Sequence, residues 1–515
     1  AGPTGTETLK NLVLPGIGRF TVVDDGKVDV ADTSNNFFVT ADAVGKPRAE
    51  VTCGLLNELN PDVQGSFKVC DPLEFARDAT NLHEYSLVVV TELPEKALLE
   101  LEVLFRKARV PVVVARTYGF VGICRVLTME PHCVIESKPS PAPLQDIRIA
   151  DPFPALQRFV DEVDLGAMDD KEYKHVPYVL VLIKLAQRWR ADHGDKAPQT
   201  MEEKNAFRAS IKEAARQEWG LEENLREAHD NAFLAFSKKL VPGDVQDVLD
   251  DPLCESPPAS LTGSDKFNAH FWAMTKALKA FVADPAQGNG KLPLSGKLPD
   301  MTATTSLYVQ LQQLFQEEAA AQVEQMLARV QKVSQELGWA ADEISKAEVE
   351  LLCKNAADLR AIRLSSLSEE VDKASINKDE VEMAVMEDVG DSGPQCPVLF
   401  YFMVRACDRF WAEHGRFPGQ NGQLSLDEGD TDAATLLGIA QTLVSDFDFS
   451  NPVKLSMDHA TEFVRYAGCE MHNIAAVIGG IASQEAVKLL THQYTLLDGV
   501  YVFNGITCTG ASYSL

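Results

Sequence analysis

The chain has 515 residues, 45% of them hydrophobic, and carries 76 acidic against 48 basic side chains, a formal net charge of −28. That length can bury several cores of roughly 100–200 residues each, a size that fits two to four domains. So negative a surface disfavours partners that present phosphate backbones or anionic headgroups, so neither nucleic acid nor a membrane is expected as a partner.

The longest apolar run, Val176 to Ile183, is far shorter than the roughly 20 residues that span a bilayer. The ten cysteines are scattered and none forms a C-x-x-C pair, a spacing that supports neither a zinc site nor a disulfide framework. They read as reduced small hydrophobes, which points to a cytoplasmic and/or nuclear protein.

The first fifty residues organise the chain. A Gly-containing loop (Gly2, Gly5) runs into a helical segment over Thr6 to Val13. A turn at Pro15-Gly16-Ile17-Gly18 and a β-branched strand over Phe20 to Val23 follow, ending in Asp24-Asp25. In a doubly wound α/β fold, such glycines bring backbone N–H groups to a phosphate at the helix start, and an acid about 20 residues on bonds a ribose hydroxyl. A buried strand should precede the loop, and the chain begins at the loop, so the first strand of the sheet is expected to be missing. By itself Gly2-x-x-Gly5 marks no more than a tight turn.

The words that follow are more specific. TETLKNLVLPGI, VVDD, VDVADTSNNFF and AVGKPRAE together resemble the adenylation domain of ubiquitin-like-protein activating enzymes and their bacterial sulfur-carrier-activating relatives. Those domains run from a glycine loop through E-L-L-K-N-L, an Asp-ended strand and S-N-L-N-R-Q-F to G-x-P-K-A. The resemblance implies a Rossmann-like, ThiF-like α/β domain whose nucleotide chemistry has been lost.

Asn35, followed by Asn36, stands where the family has the phosphate-contacting Arg of N-R-Q, and Arg48 where it has the phosphate-binding Lys. Pro3, between the loop glycines, has no N–H to offer. Glu92, in Val90-Thr91-Glu92-Leu93, falls where the family has a Mg-binding L-D-N. The degenerate nucleotide site is therefore Gly2, Gly5, Asp24, Asn35, Asn36 and Arg48, with no catalytic residue and no metal ligand of its own.

The α/β rhythm continues with a helix over Ala49 to Leu59, a buried strand over Tyr85 to Val90, a helix from Glu95 to Arg106 and a second buried strand over 110–114. ARTYGFVGICRVLT resembles the family's S-G-T-x-G-F-x-G segment, with Arg116 in place of a small residue. Cys133 sits in MEPHCVIESKP, without the C-T-x-x-x-x-P context of the family's thioester cysteine. It reads as a buried cysteine on the strand or loop leaving the domain. The Pro-rich stretch 139–143 sets the first boundary near residue 150.

From 151 the pattern turns helical, with segments over 178–192, 205–218, 221–239, 267–283 and 305–337. The Pro-Gly-Asn-rich joint 284–300 divides this insert into lobes over 151–290 and 291–395. The resemblance makes it the equivalent of the catalytic-cysteine domain, without the cysteine. An internal echo, VPYVLVLIKLAQRWRADHGDKAP at 176–198 and CPVLFYFMVRACDRFWAEHGRFP at 396–418, places Gly194 and Gly415 as helix caps and His193 and His414 in last turns. A helical return spans 396–454.

The close, RYAGCEMHNIAAVIGGIASQEAVKLL, resembles the family's returning helix, and Gly479-Gly480 with Ala475, Ala476 and Ala482 allows close packing. Strands over Tyr494 to Leu497 and Val500 to Asn504 are expected to complete a discontinuous first domain within 455–515.

Within the family, length and these words most resemble the regulatory, non-catalytic subunits of the neddylation branch. That resemblance implies a heterodimer whose catalytic partner carries ATP, Mg and the thioester cysteine. This chain would then bind no cofactor alone and would help build the cleft for the ubiquitin-like modifier. Asp300, Met301, Tyr308 and Leu311, at the start of the long helix, are expected to touch the partner, with Asp300 or Thr302 capping that helix. Two other classes stay open: an NAD-binding oxidoreductase using Gly2, Gly5 and Asp24, and a helical scaffold with no enzyme partner. A non-catalytic subunit of the sumoylation type is the alternative within the family.

Overall fold

The computed structural model describes residues 1–137, 146–236, 241–261, 265–371, 377–387, 395–420, 426–450 and 453–515. The chain divides into two compact units, one formed by Ala1–His132 with Ile362–Leu515, the other by Cys133–Ala361. The first unit is therefore discontinuous. Its first boundary lies at residue 132 rather than near 150, and the chain re-enters it at 362, well ahead of 455. The Pro-rich stretch 139–143 lies outside the described residues.

Two sheets form the first unit. Arg19–Val23 pairs in parallel with Gln64–Lys68. The larger sheet has five strands in the order Val88–Thr91, Val112–Tyr118, Val121–Leu127, Val500–Asn504, Thr509–Tyr513. Its first pair is parallel and the others antiparallel. Val112–Tyr118 and Val121–Leu127 are buried at every position; the buried strand expected over 110–114 is the apolar start of the first, whereas Arg116 and Arg125 interrupt the apolar pattern of the two strands and are accommodated by ion pairs. The strand expected over Tyr494 to Leu497 does not form. The last strand is instead Thr509–Tyr513, a mostly exposed polar edge without the apolar alternation that marks a strand in sequence.

Helix His472–Thr491 is wedged between this sheet and the first helix, Pro3–Val13. Its buried face presents Ile474, Ala475, Ile478, Ala482 and Ala486. Two glycines set how closely the layers approach. A Cβ at Gly479 would lie 2.7 Å from the Glu7 Cβ, and one at Gly122 would lie 2.3 Å from Ile478. Gly480, expected to share that role, faces open space. Among the described residues this is the one helix long and apolar enough to cross a membrane, but half of its apolar window is buried inside the protein.

The second unit is helical and holds two cores. One gathers Leu156, Val179, Leu182, Phe207, Leu225, Leu311 and Phe315; the other gathers Val245, Trp272, Leu278, Met326, Val330 and Leu352. The long helix Thr305–Glu336 serves both, with Leu311 and Phe315 in the first and Val323, Met326, Val330 and Val333 in the second. Its cap is Thr304, whose hydroxyl accepts from the Leu307 N–H at 3.3 Å, and not Asp300 or Thr302. Thr302 is tied to Glu227.

The partner-contact expectation for this segment is corrected. Leu311 is fully buried, Met301 is buried, and Tyr308 packs against the same core, because the joint 284–300 supplies side chains such as Leu294 that cover the helix. Only Asp300 of the four is exposed.

In the echoed helices, Tyr178–Asp192 and Pro397–His414, Gly194 and Gly415 both take left-handed φ. His193 stacks on Trp189 at 3.9 Å and His414 lies 4.3 Å from Phe410. Leu311→Ala is expected to lower the stability of the second unit by about 2–5 kcal/mol through the cavity it leaves. Thermal or denaturant unfolding checks this, and a loss below about 1 kcal/mol would place Leu311 outside the core.

Candidate functional site

The residues singled out in the sequence converge around the start of the first helix, and each is already engaged by the chain itself. Gly2 is the N-cap, in extended conformation, with Pro3 in the first turn. The Thr4 N–H donates to Glu470 Oε2 at 3.2 Å and the Thr4 hydroxyl to the same oxygen at 2.7 Å. Thr4 Oγ1 also lies 3.0 Å from Thr117 Oγ1. Gly5 faces Thr91, whose Oγ1 would lie 3.5 Å from an added Cβ. A protein carboxylate thus occupies the start of this helix, where free N–H groups favour negative charge.

Asp24, at the end of strand Arg19–Val23, is buried and accepts from the Gly26 N–H at 2.7 Å, Arg48 Nε at 3.1 Å and Arg48 Nη2 at 3.2 Å. Arg48 spends a further N–H on Asp32 at 3.4 Å, so the cation expected for phosphate is neutralised by two buried acids. Asn36 is buried and donates to Thr6 Oγ1 at 3.1 Å. Asn35 donates to the Glu470 carbonyl at 3.1 Å.

Glu92, at the position of the family's metal-binding acid, has a left-handed φ of 56° and accepts from the Thr117 N–H at 2.9 Å. Desolvation and the charge of Glu470 push its carboxyl well above the ordinary range, against the opposing pull of Arg116. Arg116 is itself committed: both terminal nitrogens meet Asp408 at 2.5 Å, and both side chains are buried. No group of three His, Cys, Asp or Glu side chains placed to hold a metal ion occurs among the described residues. Cys133 is fully buried in the core of the second unit, closed to a modifier terminus.

The sequence found Gly2, Gly5, Asp24, Asn35, Asn36, Arg48, Glu92 and Arg116; the structure sets Gly2, Gly5 and Asn36 at the first helix, ties Asn35 to the Glu470 carbonyl, and pairs Asp24 with Arg48 at the end of strand Arg19–Val23. Asp32, Thr4, Thr117, Asp408 and Glu470 were not found. Only RYAGCEMH, read for its returning helix, held Glu470, and no local spacing connects that residue to Thr4.

A domain with this sheet, this glycine-started helix and this returning helix belongs to the ThiF family, whose profile matches residues 1–513. Among curated proteins, the NEDD8-activating enzyme E1 regulatory subunit of Danio rerio is 35% identical over 521 residues, covering 100% of this chain and 93% of that protein. The regulatory subunit AXR1 of Arabidopsis thaliana is 36% identical over 508 residues, covering 98% and 89%. That of Saccharomyces cerevisiae is 24% identical over 525 residues, covering 100% and 94%. Within the ThiF family the chain belongs with these regulatory subunits, and it is a non-catalytic member.

Asp24→Asn is expected to cost roughly 1–2 kcal/mol at neutral pH by leaving the Arg48 guanidinium with a weaker partner. Urea unfolding at pH 7 reads the loss, and an unchanged midpoint would contradict the pairing.

Proposed function

We propose that this chain is the regulatory subunit of a heterodimeric NEDD8-activating enzyme. Its catalytic partner carries ATP, Mg and the nucleophilic cysteine, and adenylates the modifier's C-terminal glycine before taking it as a thioester. This chain supplies the pseudo-symmetric half of the adenylation core and a wall of the modifier cleft. The reading is supported by the match to regulatory subunits along the whole chain. Above all it rests on the intrachain engagement of Asp24, Arg48, Asn35 and the helix start.

The chemistry argues the same way. Nucleotide transfer is catalysed by donors and cations held ready for developing phosphate charge. Here the helix-start N–H group meets Glu470, the guanidinium of Arg48 meets Asp24 and Asp32, and that of Arg116 meets Asp408. Each of these three groups is engaged within the chain. A cytoplasmic and/or nuclear location goes with this reading.

The purified chain is expected to show no modifier-dependent exchange of labelled pyrophosphate into ATP. Mixed with a NEDD8-activating catalytic subunit, it should form a stoichiometric complex that charges the modifier. Exchange by the chain alone, or charging that is indifferent to its presence, would refute the proposal. Cys133→Ala is expected to leave charging by the complex within about twofold of wild type, because the thiol lies in a sealed core. Loss of charging in a folded variant would return Cys133 to the reaction.

A further inference from the structure

Ahead of helix His472–Thr491, the returning chain sets a carboxylate on the first helix. Glu470 Oε2 accepts the Thr4 N–H at 3.2 Å and the Thr4 hydroxyl at 2.7 Å. Its Oε1 would lie 2.5 Å from a Cβ at position 2, so glycine there is what admits the carboxylate. The backbone is fixed on both sides: Asn35 donates to the Glu470 carbonyl at 3.1 Å, and the Gly119 N–H donates to the Cys469 carbonyl at 2.8 Å. Two successive left-handed residues, Ala467 and Gly468, turn the chain into this position. The charged groups facing it are Glu92 and, beyond Glu92, the Arg116–Asp408 pair. His472 reaches Glu7 at 3.4 Å on the first helix.

We propose that Glu470 is a built-in anion, which fills the phosphate seat of the first helix and so closes the nucleotide-type half of this unit to ATP. The proposal rests on the reading of the chain as a non-catalytic subunit, and it identifies what holds the old site shut. A helix start favours negative charge through its free N–H groups and its dipole. A carboxylate tethered in place competes at an effective concentration in the millimolar range or above. It also joins residue 4 to residue 470, so the contact that excludes the nucleotide is one that ties the two ends of the unit together. Asn35, where the family has its phosphate-contacting arginine, instead secures the carboxylate from behind.

The test uses inorganic pyrophosphate as the probe, on the full chain at constant ionic strength, in thermal melts and titration calorimetry. Glu470→Gln keeps the shape and one acceptor oxygen but removes the charge; Glu470→Ala empties the seat. Wild type is expected to be indifferent to about 10 mM pyrophosphate, whereas both variants melt about 3 °C lower and recover at least half of that loss when it is added. A wild-type chain that binds pyrophosphate as the variants do would overturn the proposal, and so would variants that do not respond to it. If Glu470→Ala does not fold, Glu470→Gln alone carries the comparison. Modifier charging by the wild-type chain with its catalytic subunit judges the functional reading separately: failure there leaves a pyrophosphate-responsive seat standing, and an unresponsive seat leaves successful charging untouched.

Discussion

The wedge of helix His472–Thr491 between the first helix and the five-stranded sheet is the contact on which the first unit depends. It joins residues 1–132 to residues 362–515 across an intervening unit of sequence. The entropy of closing so long a connection grows only slowly with length, and the apolar area buried by Ile474, Ile478, Ala482 and Ala486 offsets it. The tolerance is narrow, since any side chain at Gly479 or Gly122 would overlap the neighbouring layer. Interiors packed at crystal-like density do not yield readily to such an overlap.

That geometry also accounts for the state of the nucleotide-type site. Once the returning helix is docked, its leading segment lies over the start of the first helix, where Glu470 meets Thr4. A site built to take ATP must keep donors and cations unpaired until the ligand arrives, at the desolvation cost of partly buried, unsatisfied charge. In this chain those cations are paired with carboxylates instead. Arg48 closes on Asp24 and Asp32, and Arg116 on Asp408. Arg405 closes on Glu95 at 2.6 Å, beside them on the same helix as Asp408. These buried pairs resist the loss of either member more than they add net stability. They suit a subunit whose contribution is shape.

The second unit follows a different logic. No residue of it was singled out as a catalyst, and its long helix is explained by packing: one face serves two cores in succession, which is why its apolar positions persist for 32 residues. The joint 284–300 reads in sequence as a Pro-Gly-Asn-rich divider between lobes. It is a run of turns over 285–290 followed by irregular chain, and its Leu292 and Leu294 are buried, one in each core. Proline and glycine set its backbone, and the neighbouring helices decided its burial.

Sequence alone determined the features whose physics is local. The helix over Tyr178–Asp192 was read to the residue and the long helix to within one, because 3.6-residue periodicity is carried by neighbours along the chain. The start of Val112–Tyr118 was legible because Val112, Val113 and Val114 form a continuous apolar run, whereas its extension through Arg116 and Thr117 was not. The candidate site was half legible: Asp24, Asn35, Asn36 and Arg48 stand at fixed spacings after the glycine loop, so the loss of phosphate chemistry could be read from their identities. Tertiary structure decided the rest. The polar edge strand Thr509–Tyr513 gains its identity only from the neighbour it pairs with. Leu311 is core because the joint before its helix and the helices carrying Leu156, Val179 and Leu225 close around it. Which acid would close on which donor, Glu470 on Thr4 or Asp408 on Arg116, was settled by contacts between residues hundreds of positions apart, and no sequence spacing encodes them, because a hydrogen bond depends on proximity in space and not along the chain.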